Sequence, residues 1–576
     1  MSKTACPLDC YDACEIIYEE GRLKGSKEGY TQGFLCPHLN HYEKHQIIQK
    51  PRLNGSEISM NEALEALKSM IREPAPNEIL LYRGSGNFAL MQEVSEHFFA
   101  SLGATLANGS LCDGAGEAGI EEGRGSNKNM PLTEVAKSDV VIFWGRNPHV
   151  TSSHILPLVK GKAIIVIDPV KTQIAKSADL HIQLKPHTDL ELALLLSRFL
   201  YIEHGHDKEF LDSYASDYED FHSLTQNIRI KATLDKIDVS LGQIGDLLHL
   251  VKDKKVAIVC GVGVQKYRDG AEVLRAIDAF AVMLGLFGKE GCGVSYLGSS
   301  RANIISPFNT KAPRVSKVDT DFSKFKTVVI QGSNPLSQMP DTLRVRESLS
   351  KVKNVVYFGL HENETSEAAH LVIPAKSFLY KNDVRTSYGH NGISFMPKQK
   401  DSDVGIGEYE LSAYLCREFG IAIEDESFYI EHFKSFAQEA NDGTLYVKGR
   451  ENIPYQDGFD TENKEFVFLD ELDLDTNESE GMFLISSKSL KSLNSQFERQ
   501  ESVYLHSSLG YGEDEEVVVS SKSGSVRLRV KHNDDLRKDC VLIYSGTKGV
   551  NNLTTSKRSF SGNSAIFQEN KVEINR

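Results

Sequence analysis

Along most of the chain, short continuous apolar runs alternate with stretches whose apolar residues recur at three- and four-residue spacing. Glu78–Tyr82 (EILLY), Asp139–Trp144 (DVVIFW), Ala163–Ile167 (AIIVI), Val256–Cys260 (VAIVC), Thr327–Gln331 (TVVIQ) and Asn354–Phe358 (NVVYF) are rich in β-branched residues and too short for helices. They are predicted as buried strands. The helical period returns between them, in Leu190–Tyr201 and Gly270–Leu284, and also in Asn61–Arg72, which places Ala63, Leu64, Leu67 and Ile71 on one face. Strands alternating with helices build βαβ units and parallel sheets, and a strand set spread over about 300 residues predicts two of them. A turn is expected at Gly84-Ser85-Gly86.

The two ends read differently. Residues 1–50 are dense in Cys, Gly and His and short of long periodic patterns, as in a small domain organised by a metal. Residues 451–480 are acidic and polar, which predicts a linker or exposed excursion. Beyond Met482, Glu515–Ser520, Ser525–Val530 and Cys540–Tyr544 are strands split by Lys522-Ser523-Gly524 and Asn533-Asp534-Asp535, the pattern of a terminal β-barrel.

Composition narrows the function classes. The chain has 576 residues, 40% hydrophobic and 25% charged, ordinary for a globular protein of several domains. A net charge of −15 argues against a partner with a phosphate backbone, so no nucleic acid is expected. No apolar run is long enough for a membrane span. The opening Met-Ser-Lys-Thr-Ala-Cys carries neither an apolar leader core nor a twin-arginine pair, so a cytoplasmic location is expected.

Four of the nine cysteines, Cys6, Cys10, Cys14 and Cys36, fall at C-x3-C-x3-C-x21-C. Thiolates are soft ligands that suit iron–sulfur clusters or zinc. Structural zinc usually takes two short knuckles, whereas three close ligands and a remote one suit the four iron corners of a cubane. Zinc stays open on spacing alone. Ala5-Cys6-Pro7-Leu8-Asp9-Cys10-Tyr11-Asp12-Ala13-Cys14, followed by Gly33-Phe34-Leu35-Cys36-Pro37, closely resembles the N-terminal cluster segment of the molybdopterin oxidoreductases of the dimethyl sulfoxide reductase family. The resemblance continues in the same order across nearly the whole chain. It implies a [4Fe–4S] cluster on Cys6, Cys10, Cys14 and Cys36. It also marks a departure: His38 stands where the family commonly has Lys or Arg between cluster and pterin, and a histidine's charge depends on pH near neutrality.

Asn108–Gly119 is a Gly-rich loop around Cys112. A thiol at a helix start has a lowered pKa suited to metal ligation, although a small buried thiol is the plain alternative. By its resemblance to the family's S-x-C stretch, Cys112 is the expected ligand of molybdenum or tungsten. Asp113 stands where formate dehydrogenases of the family carry His. Asp113 and Glu117 are the nearest candidates for proton handling, or else solvated or N-capping carboxylates.

Gly145, Asn147, Thr151 and His154 follow the strand Asp139–Trp144 in a segment similar to the family's G-x-N-P…T…H motif. Ligands of doubly wound sheets bind at such strand ends. Asp168 ends the next strand, placed to grip a ribose or guanine; Thr172 follows, then Lys185-Pro186-His187-Thr188-Asp189, with His187 where the family usually has Gly. Gly261, Gly263 and Gln265 follow Val256–Cys260, a weak motif that is otherwise a tight turn. Gly332 and Asn334 echo Gly145 and Asn147, and His361, Glu362 and Thr365 form a third such turn. His390 and Asn391 lie in a polar loop, with a structural histidine as the equal alternative. Ser487, Asn494, Ser495 and Asn552 resemble the family's terminal pterin-binding barrel, and are otherwise ordinary turn residues.

The resemblance implies an α/β fold: a [4Fe–4S] domain (1–50), two doubly wound α/β domains (51–115 with 295–450, and 116–294), an acidic linker (451–480) and a pterin-binding β-barrel (481–576). It implies bis-molybdopterin guanine dinucleotide with molybdenum or tungsten, a small-molecule substrate, and electrons passed through the cluster to a partner protein or subunit. Two rivals remain: a hydratase-like lyase on the same cofactors, and a degenerate Fe–S electron-transfer or assembly protein.

Overall fold

The computed structural model describes every residue except 1, 41, 43, 44, 85–88, 216 and 472–479. Most of the expected turn Gly84-Ser85-Gly86, and the end of the acidic 451–480 segment, thus lie outside the described residues. The chain folds into two compact units, both assembled from separated stretches of sequence.

The first unit takes Met1–Gly109, Ser300–Arg450 and Ser489–Gln500. Its centre is an eight-stranded sheet in the order Arg314–Ser316, Thr105–Asn108, Ile79–Arg83, Thr327–Gln331, Asn354–Gly359, Leu371–Pro374, Arg52–Leu53, Ser56–Glu57. The first six strands are parallel and the last two antiparallel. The helix Met60–Arg72 starts at a capping box, Ser59 with Glu62, and buries Ala63, Leu67 and Ile71 against Ile79, Leu81, Val356 and Leu371. Residues 2–25 form a three-stranded antiparallel sheet, Ser2–Ala5, Glu15–Glu19 and Arg22–Gly25.

The second unit takes Ser110–Ser299, Glu451–Lys488 and Glu501–Arg576. It holds a parallel sheet in the order Leu180–Ile182, Ala163–Ile167, Val140–Trp144, Val256–Cys260, Gly293–Ser295. In chain order this is 3-2-1-4-5, the doubly wound arrangement in which successive strands step outward on both sides of the first. Val140, Ile142, Trp144, Ile165, Val256 and Ile258 share one core with the helices Asp189–Ile202 and Gly270–Met283. The helix Gly114–Arg124 crosses Gly270–Met283 closely at Gly119, where a Cβ would lie 2.1 Å from the Ala271 carbonyl oxygen. Arg124 Nε donates to Asp278 Oδ2 at 2.7 Å beneath that crossing, and both side chains are fully buried.

The segment after Glu451 is not an exposed excursion. Tyr455, Phe459, Phe466, Phe468 and Leu469 all join the core of this unit. Burial of such side chains contributes about 1.5–3 kcal/mol each, more than the acidic residues between them lose by lying close to it. The C-terminal strands close into a six-stranded barrel, Met482–Ile485, Cys540–Leu542, Ser502–Leu505, Ser525–His532, Glu516–Ser520, Lys571–Asn575. Leu484, Val503, Leu505, Val517, Val519, Leu528 and Val530 fill its interior by alternation, and closure leaves no open sheet edge. The parallel sheets and terminal barrel expected from the sequence are present. Among the described residues, no helix is long and apolar enough to cross a membrane.

Candidate functional site

In the first unit, Cys6 directly follows the strand Ser2–Ala5 and Cys14 precedes the strand Glu15–Glu19. Ala5 pairs with Glu15 in the register of these antiparallel strands, so Cys6 and Cys14 face each other at the mouth of the hairpin loop, closed by Cys6 N donating to Cys14 O at 2.8 Å. Cys10 lies in the loop, and Cys36 sits just before the short helix Pro37–Asn40. Among the described residues none of the four forms a disulfide; Cys6 and Cys14 are buried, Cys10 and Cys36 half-buried. Burial pushes the Cys14 thiol up first, with Asp12, Cys6, Cys10 and Cys36 adding to the shift. The four sulfurs thus share one electrostatic neighbourhood. Burial also raises Cys36, opposed by the backbone amides of Leu39 and His38. Four soft donors with amides turned toward sulfur suit an iron–sulfur cluster. His38 is buried, its ring stacked 5.9 Å from that of Phe497.

The eight-stranded sheet reverses strand order between Ile79–Arg83 and Thr327–Gln331. At that point Gly84 passes so close to the other turn that a Cβ would lie 2.6 Å from Gly332 O and 2.8 Å from Ser333 Cβ. Asn334 Nδ2 donates to Glu364 Oε2 (2.9 Å) and Ser495 Oγ (3.1 Å), and its Oδ1 accepts from Thr365 Oγ1 (2.8 Å). Arg499 Nη1 donates to Glu364 Oε1 at 2.6 Å. Burial pushes Glu364 up, but the Asn334 and Arg499 bonds hold it below the usual carboxylate range. Gln331 Nε2 is buried without a hydrogen-bond partner.

In the second unit, Cys112 is half-buried and precedes the helix Gly114–Arg124, for which Asp113 is the N-cap residue. Asp113 makes no side-chain cap bond; its carboxylate accepts from Ser110 Oγ instead. Ser110 Oγ also accepts from the amides of Cys112 (2.8 Å) and Asp113 (3.0 Å). Gln265, fully buried, donates through Nε2 to Cys112 O (2.5 Å) and Val262 O (3.0 Å), and accepts from Gly116 N (3.0 Å). Its amide is committed to holding the cysteine loop. Tyr296 OH donates to Asp113 O at 3.4 Å, and Gly116 admits that ring, since a Cβ would meet it at 2.8 Å. Glu117 accepts from Asn127 Nδ2 at 3.4 Å; burial, then Asp113, push its carboxyl up. Asn127 Oδ1 and Asn129 Nδ2 are buried without partners.

The five-stranded sheet reverses order between Val140–Trp144 and Val256–Cys260. Gly145 and Gly261 touch there: a Cβ on Gly261 would lie 1.8 Å from Gly145 O. Ser153 Oγ, His149 Nδ1 and Thr172 Oγ1 are buried without partners beside these strand ends. Asp168 accepts from Val170 N at 2.8 Å, yet burial, reinforced by Asp189, pushes it up to about 7. Asp189 accepts from Trp144 Nε1 at 2.7 Å and is likewise pushed up to about 7, mainly by burial. His187 has φ +63° and stacks on Tyr267 at 4.2 Å, with Nε2 3.1 Å from Asp269. Its left-handed backbone is the conformation that glycine adopts without strain. Asn147 Oδ1 accepts from His149 N at 3.2 Å, Thr151 N donates to Asn147 O, and His154 is buried.

Of the other sequence candidates, His390 and Asn494 lie against the cysteine loop of residues 6–14. Glu362 is half-exposed and paired with Arg52, and His361 Nδ1 contacts Gln46 O at 2.9 Å. His390 Nε2 meets Asp12 O at 2.6 Å and Nδ1 accepts from Gly392 N at 3.1 Å, so both nitrogens are engaged; burial pushes its pKa down to about 4. Asn391 O accepts from Val447 N. Asn494 Nδ2 donates to Asp9 Oδ2 at 3.4 Å. Ser487 is exposed, and Asn552 Nδ2 bonds Ser525 O across the barrel turn at 3.3 Å. Sequence reading missed Glu364, Arg499, Gln331 and Arg385. Nothing in local spacing marks them: Glu364, Arg499 and Arg385 take partners from distant stretches, and the burial of Gln331 Nε2 comes from the tertiary fold.

A family model described as molybdopterin oxidoreductase matches residues 56–397, more than half of the chain. The chain is 25% identical over 494 residues to the probable oxidoreductase YyaE of Bacillus subtilis (strain 168), covering 75% of this chain and 74% of that protein. It is 23% identical over 446 residues to formate dehydrogenase H of Escherichia coli (strain K12), covering 65% of this chain and 62% of that protein. In fold it is similar to acetylene hydratase from Pelobacter acetylenicus, with a TM-score of 0.75 over 100% of both chains at 14% identity.

Proposed function

This chain belongs to the molybdopterin oxidoreductase family, and on that premise we propose that it holds a [4Fe–4S] cluster on Cys6, Cys10, Cys14 and Cys36 and a bis-molybdopterin guanine dinucleotide with molybdenum or tungsten, Cys112 serving as metal ligand. The observation that carries this reading is the pair of glycine junctions, Gly84 with Gly332 and Gly145 with Gly261, one at each sheet's reversal of strand order. Nucleotides bind at such points because strand ends and helix starts diverge there to leave a crevice, and two junctions suit two dinucleotide halves. The partnerless polar atoms of Gln331, Ser153, His149 and Thr172 fit a polar ligand at both.

The bound metal and pterin would supply two-electron chemistry on a small substrate. The chain's residues have separable tasks. Asp168 and Asp189 would accept hydrogen bonds from a base or ribose, with Trp144 Nε1 fixing the angle of Asp189. Ser110 and Gln265 hold the Cys112 loop. Glu117, whose carboxyl is raised by burial and by Asp113, would hold or move a proton beside Cys112. The cysteine set would pass single electrons to a partner protein or subunit.

Anaerobic expression followed by joint measurement of metal, iron, sulfide and pterin tests this. About four irons per chain together with molybdenum or tungsten and guanine dinucleotide pterin is expected. Iron without pterin would sink the enzyme reading, and zinc in place of iron would sink the cluster. A second reading, hydration without net electron transfer, draws on the fold shared with acetylene hydratase. Turnover that needs neither electron donor nor acceptor would favour it.

A further inference from the structure

In the cysteine loop of residues 6–14, several carbonyls are held from one short stretch of chain. Arg385 Nη2 donates to Leu8 O at 2.8 Å and lies 3.5 Å from Cys10 O. Ser387 Oγ donates to Tyr11 O at 2.8 Å, and His390 Nε2 meets Asp12 O at 2.6 Å. Gly389 lets the stretch approach, because a Cβ there would lie 2.2 Å from Cε1 of Tyr11. Four carbonyls between Cys6 and Cys14 are therefore fixed by three side chains within six residues.

The three are not equivalent. Ser387 is neutral, and His390 is neutral because burial keeps its imidazole unprotonated near pH 7. Arg385 carries a full charge and is 1% exposed. A guanidinium out of water needs negative charge nearby. Burial lowers the pKa of Arg385 from the ordinary guanidinium value, opposed by the Cys6 sulfur first, then Tyr388, Asp9 and the Cys10 sulfur.

We infer that Arg385 sets the reduction potential of the cluster, its buried charge favouring the reduced state, while Ser387 and His390 only hold the loop. This rests on the cluster reading above. Reduction adds one electron and no proton, so iron, sulfide and four thiolates together become one unit more negative. A fixed cation in a low-dielectric site lowers the energy of that state more than that of the oxidised one.

The test is an anaerobic redox titration of the purified full chain, with dithionite as electron source and the reduced-cluster EPR signal as readout. Arg385→Gln is expected to leave roughly tenfold less cluster reduced at the wild-type midpoint, a shift of about 59 mV to lower potential for one electron. Arg385→Lys keeps the charge, and its midpoint should stay close to wild type. Ser387→Ala removes a loop bond without changing charge and should leave the midpoint in place. An unmoved midpoint in Arg385→Gln, or an equal fall in Ser387→Ala, overturns the inference. If Arg385→Gln assembles no cluster, Arg385→Lys decides, because a fall there means that bond geometry and not charge is responsible. A wild-type chain with no iron and no reduced signal brings down the cluster reading itself, which is a separate failure.

Discussion

Around Gly84 and Gly332, most polar side chains of the eight-stranded sheet are bonded to one another, Asn334 to Glu364, Thr365 and Ser495, and Glu364 to Arg499, with Gln331 Nε2 left over. Around Gly145 and Gly261, those of the five-stranded sheet leave Ser153, His149 and Thr172 atoms without partners, and two half-buried carboxylates, Asp168 and Asp189, are raised to about 7. The backbone device is shared, since both junctions are glycine pairs too close for a Cβ. The polar chemistry differs in degree: one partnerless atom, Gln331 Nε2, at the first junction against three at the second. A network satisfied within the chain fixes its shape before any ligand arrives and loses stability when one member goes. Groups left short of partners cost stability in the empty protein and recover it from a ligand that donates to them.

The largest expected effect falls on what the junctions share. Gly261→Ala forces a Cβ against Gly145 O at 1.8 Å, backbone against backbone. It should cost about 3 kcal/mol or more, read as a lowered urea midpoint. A change under about 0.5 kcal/mol would mean that the two turns are free to part. Next comes Arg499→Met at the satisfied junction. Removing one partner of a buried pair costs about 3–5 kcal/mol, and Arg499, 20% exposed against 9% for Glu364, brings that down to roughly 2–3. The double variant with Asn334→Ala should be less destabilised than the sum, because both act through Glu364. Strict additivity would dissolve the network.

A third prediction reads pH at the other junction. Asp168 and Asp189 have folded pKa values near 7 against an ordinary 3.8. The folded, cofactor-free chain therefore binds more protons than the unfolded one between about pH 4 and 7. Stability falls as pH rises through that window and levels off above it. Asp189→Asn keeps an acceptor for Trp144 Nε1 and removes the charge. It should stabilise the cofactor-free protein by about 1–2 kcal/mol at pH 8, less than the full three-unit shift because the two carboxylates titrate together, by roughly half of that or less at pH 5, and by little below about pH 4. It should also weaken retention of the guanine nucleotide. Equal stability of variant and parent at pH 8 would remove the contrast between the junctions.

These contrasts were only partly legible in the sequence. The strands were plain because buried parallel strands are continuous β-branched runs, and Gly145, Gly261 and Gly332 stood out as glycines directly after them. Which polar side chains would find partners did not show. Glu362 and Glu364 are two residues apart after the same strand; one faces Arg52 at the surface, the other closes the Asn334 network. Arg499 reaches Glu364 from 135 residues away, and Ser495 reaches Asn334 from 161. Between 451 and 471 the acidic average hid an apolar alternation, Phe466 and Phe468, that carries the segment into the core. His187 in place of glycine was visible, but the stack on Tyr267 that holds its left-handed backbone was not.

The smallest effect separates two glycines that the sequence presents as one motif. Gly261 is fixed by the opposing turn, whereas a Cβ on Gly263 would meet nothing within 4 Å, and its φ is not in the left-handed region. Gly263→Ala should therefore change the stability of the cofactor-free chain by no more than about 0.5 kcal/mol, and could raise it slightly by restricting the unfolded backbone. The open space beside Gly263 can belong to solvent or to the cofactor, and stability alone does not tell them apart. Gly263→Val fills more of that space. If the junction around Gly145 and Gly261 holds a nucleotide, the valine chain should fold as well as the parent yet retain less pterin per chain after anaerobic purification. Full pterin content in Gly263→Val would move the binding surface away from this turn and leave Gly261 as a packing glycine only.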